Sequence, residues 1–342
     1  MALMSRMALM SPRSSAISTH AVTLNSVNLV SRAVRPRSTF DAAPFARPIL
    51  FRKWSDSRSP LRILEHVHLT GQDHRARLIP YTRAEDLQEQ HRGWFLSWKA
   101  LSEEQKTSGE HGEAPKPRLL SFEAEPTFTL GRRQEDLTAE QAARLKSPLR
   151  VSHTRPTQFA QSFIPQVRRT NRGGLTTYHG PGQLVLWPVL DMHSCVYPKY
   201  GVASYAHHLE TTTQRFLSEN FGIETYIARD EPGVWVSIKT GRPRKIAALG
   251  VHHRRYVTAL GIAINLDIPV TGDESVNPWA RFVPCGLDGK LVTSVAAEVG
   301  GYLPHGFDFE NLADRWAALF EEGMLDVEKR RWGSSEAQDL GR

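Results

Sequence analysis

Cysteine is nearly absent from this 342-residue chain: Cys195 and Cys285 are the only two. Two isolated thiols make neither a disulfide framework nor a zinc cluster, and they fit a thiol-reducing compartment. Long hydrophobic runs are missing too, so no stretch of membrane-spanning length is offered and a soluble protein is expected. Acid is missing from the start of the chain. Residues 1–40 hold five arginines and eight serines but no Asp, Glu or Lys. Residues 1–62 carry ten basic and two acidic side chains, a net of +8, which leaves −1 of the chain's +7 for residues 63–342. The basic balance therefore belongs to the leader. A nucleic-acid binder would keep its positive charge in the folded part, so that class is disfavoured. An acid-free, Arg- and Ser-rich leader has the composition of a mitochondrial transit peptide.

What is present falls into three expected parts: a transit peptide and disordered leader over 1–62, a folded domain over 63–330, and a loose polar tail over 331–342. Alternation predicts a first strand over 63–70. Thr82 and Glu85 stand at capping-box spacing before a helix over 83–101, with Leu87, His91, Trp94, Phe95, Trp98 and Leu101 on its apolar face. Strands are expected over 119–122 and 127–130, then a long, partly helical insertion over 134–167. A helix over 202–221 should stop at Gly222. Short strands punctuated by turns follow over 223–227, 233–238, 246–251 and 256–266. A last helix over 308–321 buries Phe309, Leu312, Trp316, Leu319 and Phe320. This irregular alternation predicts an α+β fold with a mixed, mainly antiparallel sheet.

The densest cluster of chemistry-bearing residues is Arg172-Gly173-Gly174-Leu175-Thr176-Thr177-Tyr178-His179-Gly180-Pro181-Gly182-Gln183, followed by an apolar run. Glycines let a ligand approach main-chain N–H groups, and Tyr178 and His179 can hydrogen-bond or shuttle protons. His179 reads either as such a group or as a turn histidine bonded to backbone. No second His or carboxylate stands at ligand spacing beside it, so metal binding is not expected. Lys245 opens the small apolar strand Lys245-Ile246-Ala247-Ala248-Leu249-Gly250. Its ammonium either is poorly solvated there, which would lower its pKa and make it a usable base, or reaches water at the strand end. Cys285 follows Pro284 and precedes Gly286, on a constrained turn, though a free cysteine is most often a small buried hydrophobe. Cys195 takes that bland reading, and the pairs His207-His208 and His252-His253 are read as surface.

Together these segments resemble the lipoyl(octanoyl) transferase family, the octanoyl-carrier-protein:protein N-octanoyltransferases. The glycine loop is similar to that family's signature, residues 245–250 to its lysine strand, and Pro284-Cys285-Gly286-Leu287 with Val292-Thr293-Ser294 to its cysteine turn. Residues 125–133 and 233–236 resemble its supporting segments. The resemblance implies a catalytic domain like that of biotin and lipoate protein ligases. It implies that Cys285 takes the octanoyl group from acyl carrier protein as a thioester, and that Lys245 lowers the thiol pKa and acts as general base. No cofactor is implied. The acceptors would be lipoyl domains of 2-oxoacid dehydrogenase complexes and the glycine cleavage H protein, with no nucleic acid and no membrane involved. Arg172, Gly173, Gly174, Leu175, Thr176, Thr177, Tyr178, His179, Ala248, Leu249, Gly250, Gly261, Ile262 and Ala263 would contact substrate. The implied location is the mitochondrial matrix. Leu260 and Ala124 stand where the family usually carries histidine, and the 134–167 segment is longer than usual. The alternative is an ATP-dependent lipoate–protein ligase of the same fold, which needs no cysteine nucleophile.

Overall fold

A computed structural model describes residues 63–71, 77–110, 112–151, 161–237, 241–282, 291–301, 303 and 308–331. These lie in one compact unit, Pro48–Arg342. The leader and the 331–342 tail fall outside the described residues, apart from the start of the body at Ile63 and the helical end at Arg331.

The elements are, in order, β1 (Glu65–Leu69), β2 (Leu78–Ile79), α1 (Tyr81–Trp98), α2 (Glu103–Thr107), β3 (Arg118–Ala124), β4 (Thr127–Leu130), α3 (Ala139–Leu145), β5 (Leu149–Val151), β6 (Gln161–Phe163), β7 (Gln166–Arg169), β8 (Thr176–His179), β9 (Gln183–Val189), α4 (Val202–Phe221), β10 (Thr225–Ile227), β11 (Val234–Val236), β12 (Arg244–Arg254), β13 (Val257–Asn265), β14 (Leu291–Val292), α5 (Val295–Glu298) and α6 (Phe309–Leu325). The main sheet runs β1-β3-β9-β13-β12-β11-β10, with β2 beside β3 and β14 beside β12. Its pairs are antiparallel from β3 to β10, while β1–β3, β2–β3 and β12–β14 are parallel. The expected mixed, mainly antiparallel α+β fold is what the chain adopts. A smaller sheet, β7-β4-β8, stands beside it.

Strand β9 explains the layering. All seven of its residues are buried, and successive side chains of a strand point to opposite faces. Leu184 and Leu186 join a core with α4 and α6, including Leu209, Phe216, Trp316 and Phe320. Val185 and Trp187 join a second core with Tyr81 and Ala84 of α1. Helices therefore cover both faces of the central strands, which is why β9 reads as a continuous apolar run.

Four expectations need correction. Helix α1 begins after Pro80, with no side-chain cap, so Thr82 and Glu85 lie inside it and form no capping box. Its buried face is Tyr81, Ala84, Gln88, His91, Arg92 and Phe95, while Trp94 is exposed. The polar members of that face have partners, as when His91 Nε2 meets Lys116 O at 2.9 Å. His208 is buried, stacked on Phe320 at 4.4 Å and bonded to Tyr200 OH through Nδ1 at 2.9 Å. Cys195 is exposed, not a buried hydrophobe. Arg330, at the end of the expected 63–330 domain, is held in place as expected of a domain residue: its guanidinium donates to the carbonyls of Gly323, Met324 and Pro198 and lies 3.8 Å over Tyr200.

Candidate active site

The glycine loop between β7 and β8 is laced to the turn after β4. Arg132 N donates to Arg172 O at 3.0 Å, Arg133 N to Gly174 O at 3.2 Å and Gly131 N to Leu175 O at 3.3 Å. The approach is close enough that a Cβ on Gly131 would sit 2.3 Å from Gly174 O. Only glycine fits there. This lacing holds Arg172, whose guanidinium donates to Thr129 O at 2.5 Å and to Thr129 Oγ1 through Nε at 3.2 Å. Its aliphatic stem lies across Gly250 of β12, where a Cβ would meet Arg172 Cδ at 2.9 Å. A buried cation is thereby fixed over the middle of the main sheet.

Beneath it lies a cleft of about 390 Å³, mouth included, lined by Arg172, Thr177, His179, Ala248, Leu249, Gly250, Gly261, Ile262 and Ala263 with Tyr81, Trp187 and Leu260. Three segments expected to bind substrate therefore meet in one place. Gly173, Gly174, Leu175, Thr176 and Tyr178 do not line it. Gly174 and Leu175 give their carbonyls to the 131–133 turn. Thr176 is bonded through Oγ1 to Gln134 Oε1 at 2.8 Å. Tyr178 follows from strand alternation: its neighbour His179 faces the cleft, so Tyr178 faces away and packs on Phe128 and Trp279. Its buried hydroxyl has no hydrogen-bond partner among the described residues, and burial raises its pKa, so it is not a proton shuttle at neutral pH.

His179 is set by a chain of amides. Gln183 Nε2 donates to Tyr178 O at 3.2 Å and to Asn265 Oδ1 at 2.9 Å, and Asn265 Nδ2 donates to Thr293 O at 2.9 Å. That fixes Gln183 Oε1 as the group facing His179 Nδ1, at 2.8 Å. The proton therefore sits on Nδ1 and Nε2 keeps its lone pair. Burial, then the Arg172 charge, lower the His179 pKa to about 4, so the ring is neutral at physiological pH. Tyr81 stacks on it at 5.3 Å.

Leu260 enters the cleft by a backbone anomaly. Its φ is +62°, a left-handed conformation that costs a non-glycine residue about 1–2 kcal/mol. The twist moves its side chain from the face of Ile262 and Ile264 to that of Ala259 and Ala263. Gln88 Oε1 accepts the Leu260 N–H at 2.5 Å and offsets part of the strain. Sequence periodicity cannot register such a reversal, and Tyr81 was missed because α1 was started too late. Trp187 was visible only as part of an apolar run.

Lys245 is the second residue of β12, the strand that carries Ala248, Leu249 and Gly250 into the cleft. It is 6% exposed, its Nζ donates to Pro232 O at 3.1 Å, and it lies 4.6 Å over the Trp235 ring. The buried alternative for this lysine is the one observed. Cys285 lies outside the described residues. The chain that follows it is placed: Leu291–Val292 pair with Arg244 and Lys245, and Thr293 N donates to Lys245 O at 2.9 Å.

The mixed sheet thus carries an apolar, cation-capped cleft, with a buried lysine on one of its wall strands. The lipoyl protein ligase A/B catalytic domain matches residues 99–321, and the chain belongs to that family. The mitochondrial octanoyl-[acyl-carrier-protein]:protein N-octanoyltransferase of Danio rerio is 36% identical over 54% of this chain and 69% of that protein. A putative mitochondrial lipoyltransferase 2 of Drosophila melanogaster is 32% identical over 64% of this chain and 80% of its own length. Among solved structures, a putative lipoate protein ligase from T. acidophilum with bound lipoic acid is similar at 14% identity and a TM-score of 0.42, over 81% of this chain and 93% of that one.

Proposed function

We propose that this enzyme transfers an octanoyl group from octanoyl-acyl carrier protein to the target lysine of lipoyl domains, through a thioester on Cys285. The observation that carries the reading is the convergence of Arg172, Thr177 and His179 with residues 248–250 and 261–263 on one cleft. The naming of relatives such as the Danio rerio protein as octanoyltransferases supports the transferase over the ligase.

The Cys285 thiolate attacks the acyl carbonyl, and the carrier thiol leaves with a proton. The acceptor amine then attacks the new thioester, the Cys285 sulfur leaves, and Lys245 takes the amine proton. One thioester becomes another, so no ATP is consumed, and the amide product draws the second step forward. Apolar side chains of Ala248, Leu249 and Ile262 suit a saturated chain, while Arg172 brings fixed positive charge toward the developing oxyanion. The acceptors are the lipoyl domains of 2-oxoacid dehydrogenases and the glycine cleavage H protein. Residues 1–62 serve as a transit peptide, and the working compartment is the mitochondrial matrix.

Single-turnover mass spectrometry with octanoyl-carrier protein and no ATP tests the chemistry. Wild type gains one octanoyl group on the peptide containing Cys285 and loses it when lipoyl domain is added. Cys285→Ser blocks turnover and Cys195→Ser, at an exposed position, is silent. Lys245→Arg fails although charge is kept, because guanidinium does not become a neutral base. An acyl adduct that needs ATP, or that persists in Cys285→Ser, would promote the ligase instead.

A further inference from the structure

Helix α4 carries a glutamate where its neighbours are core. Glu210 is 6% exposed and sits one residue after Leu209, which packs in the main core. A buried carboxylate is unfavourable unless something compensates it. Its Oε1 accepts the Gly233 N–H at 2.7 Å. That N–H belongs to the same peptide unit as Pro232 O, which accepts from Lys245 Nζ at 3.1 Å. In a trans peptide the N–H and C=O point in opposite directions. One peptide dipole is thus aligned between a carboxylate at its positive end and an ammonium at its negative end.

The turn is fixed from a third side as well. Gly233 has φ +123°, and a Cβ there would lie 2.5 Å from Ala247 O. The Pro232–Gly233 peptide therefore has little freedom to swing its carbonyl elsewhere. We propose that Glu210 is a positioning residue for Lys245, acting through this peptide to orient the amine and to stabilise its charged form. This rests on the reading of Lys245 as the base of acyl transfer, and it adds a group that neither the sequence motifs nor the cleft lining includes.

Burial pushes the Glu210 pKa up to about 7, against the Gly233 N–H and the Lys245 charge. Of the described charged groups on the elements packed against α4, Lys245 is the one that acts on it. As pH rises through neutrality the carboxylate forms, and the ammonium gains a relayed counter-charge. Below that, the counter-charge is lost. In the proposed reaction Lys245 then starts as an ammonium, gives its proton to the departing carrier thiolate, and is left neutral to take the proton of the acceptor amine.

The experiment uses the full chain and reads Lys245 directly, by trace acetylation with acetic anhydride across pH and mass spectrometry of its peptide. Glu210→Gln keeps an oxygen for the Gly233 N–H but removes the charge. Its Lys245 titration midpoint is expected to fall by about one pH unit, the size expected for two charges some peptide-length apart in a partly buried site. The pH profile of octanoyl uptake should shift with it. The reciprocal measurement uses Lys245→Met and the ¹³C titration of the Glu210 carboxyl, which should move upward by a similar amount. This second arm remains informative if Glu210→Gln folds poorly. Unchanged midpoints in both arms overturn the proposal. Midpoints that shift while Lys245→Arg keeps full turnover would preserve the Glu210–Lys245 coupling and overturn the base assignment instead.

Discussion

His179 is the residue whose state is most fully determined by its surroundings. Gln183 and Asn265 choose its tautomer, and burial with Arg172 chooses its charge. Its folded pKa of about 4 lies below the ordinary histidine value of 6.5, so the unfolded chain binds the extra proton first. The stability it contributes is present above about pH 6.5 and is lost as pH falls toward about 4, by up to about 3 kcal/mol. His179→Gln should therefore flatten the decline in urea-unfolding stability between pH 6.5 and 4.5, a flattening that an equally steep variant would refute. A contrasting set is Ser121, His66 and Asp314. His66 Nε2 meets Ser121 Oγ at 2.8 Å and His66 Nδ1 meets Asp314 Oδ1 at 2.7 Å. The spacing resembles a hydrolytic triad, but Ser121 is fully buried and His68 Nδ1 also binds its hydroxyl, at 2.8 Å. The hydroxyl is a link that ties β1 and β3 to α6.

At the scale of elements, the glycine loop is a structure held by backbone. Gly131→Ala places a methyl against Gly174 O, and neither partner is a side chain that can step aside. The change should loosen residues 171–175, raise KM for the acyl donor several-fold and cost on the order of 2 kcal/mol. Faster amide exchange confined to that loop and its β4 partner is the signature to look for by hydrogen-exchange mass spectrometry. Elements were legible in the sequence where one periodic signal dominated. Helix α4 runs over the expected 202–221, and Gly222 caps it with φ +65°; α6 buries all five of its named residues. Strand β4 likewise has its expected limits. Legibility failed where polar residues face inward. Gln88 and Arg92 shifted the apparent face of α1, and His208 passed for surface because its neighbours in sequence say nothing about Phe320 and Tyr200. Glu210 was invisible for the same reason, since its partner is a peptide bond remote in sequence.

On the whole molecule, charge is local. Of three arginine pairs that could attract acidic protein partners, one is already engaged: Arg168 pairs with Glu85 at 3.1 Å and Arg169 with Asp136. Arg132 and Arg133 are exposed on the turn that laces the glycine loop, and Arg254 and Arg255 are exposed at the β12–β13 turn. Reversing charge at Arg132 and Arg133 should slow association with acyl carrier protein and shallow its salt dependence, leaving the dissociation rate less affected. Stopped-flow binding at two ionic strengths measures both, and an unchanged salt slope would place docking elsewhere.

The cleft has a further consequence for how the chain acquires its activity. Its walls come from Tyr81, from the 172–187 region and from 248–263, and its central pairings join strands distant in sequence, such as β3 with β9 and β9 with β13. Contacts of that kind close large loops and form late. A nascent or half-refolded chain can therefore hold helices α4 and α6 without possessing any binding surface. Recovery of octanoyl uptake after dilution from denaturant should trail the recovery of helical signal, because catalytic competence here is an end product of folding and no fragment of the chain carries it early.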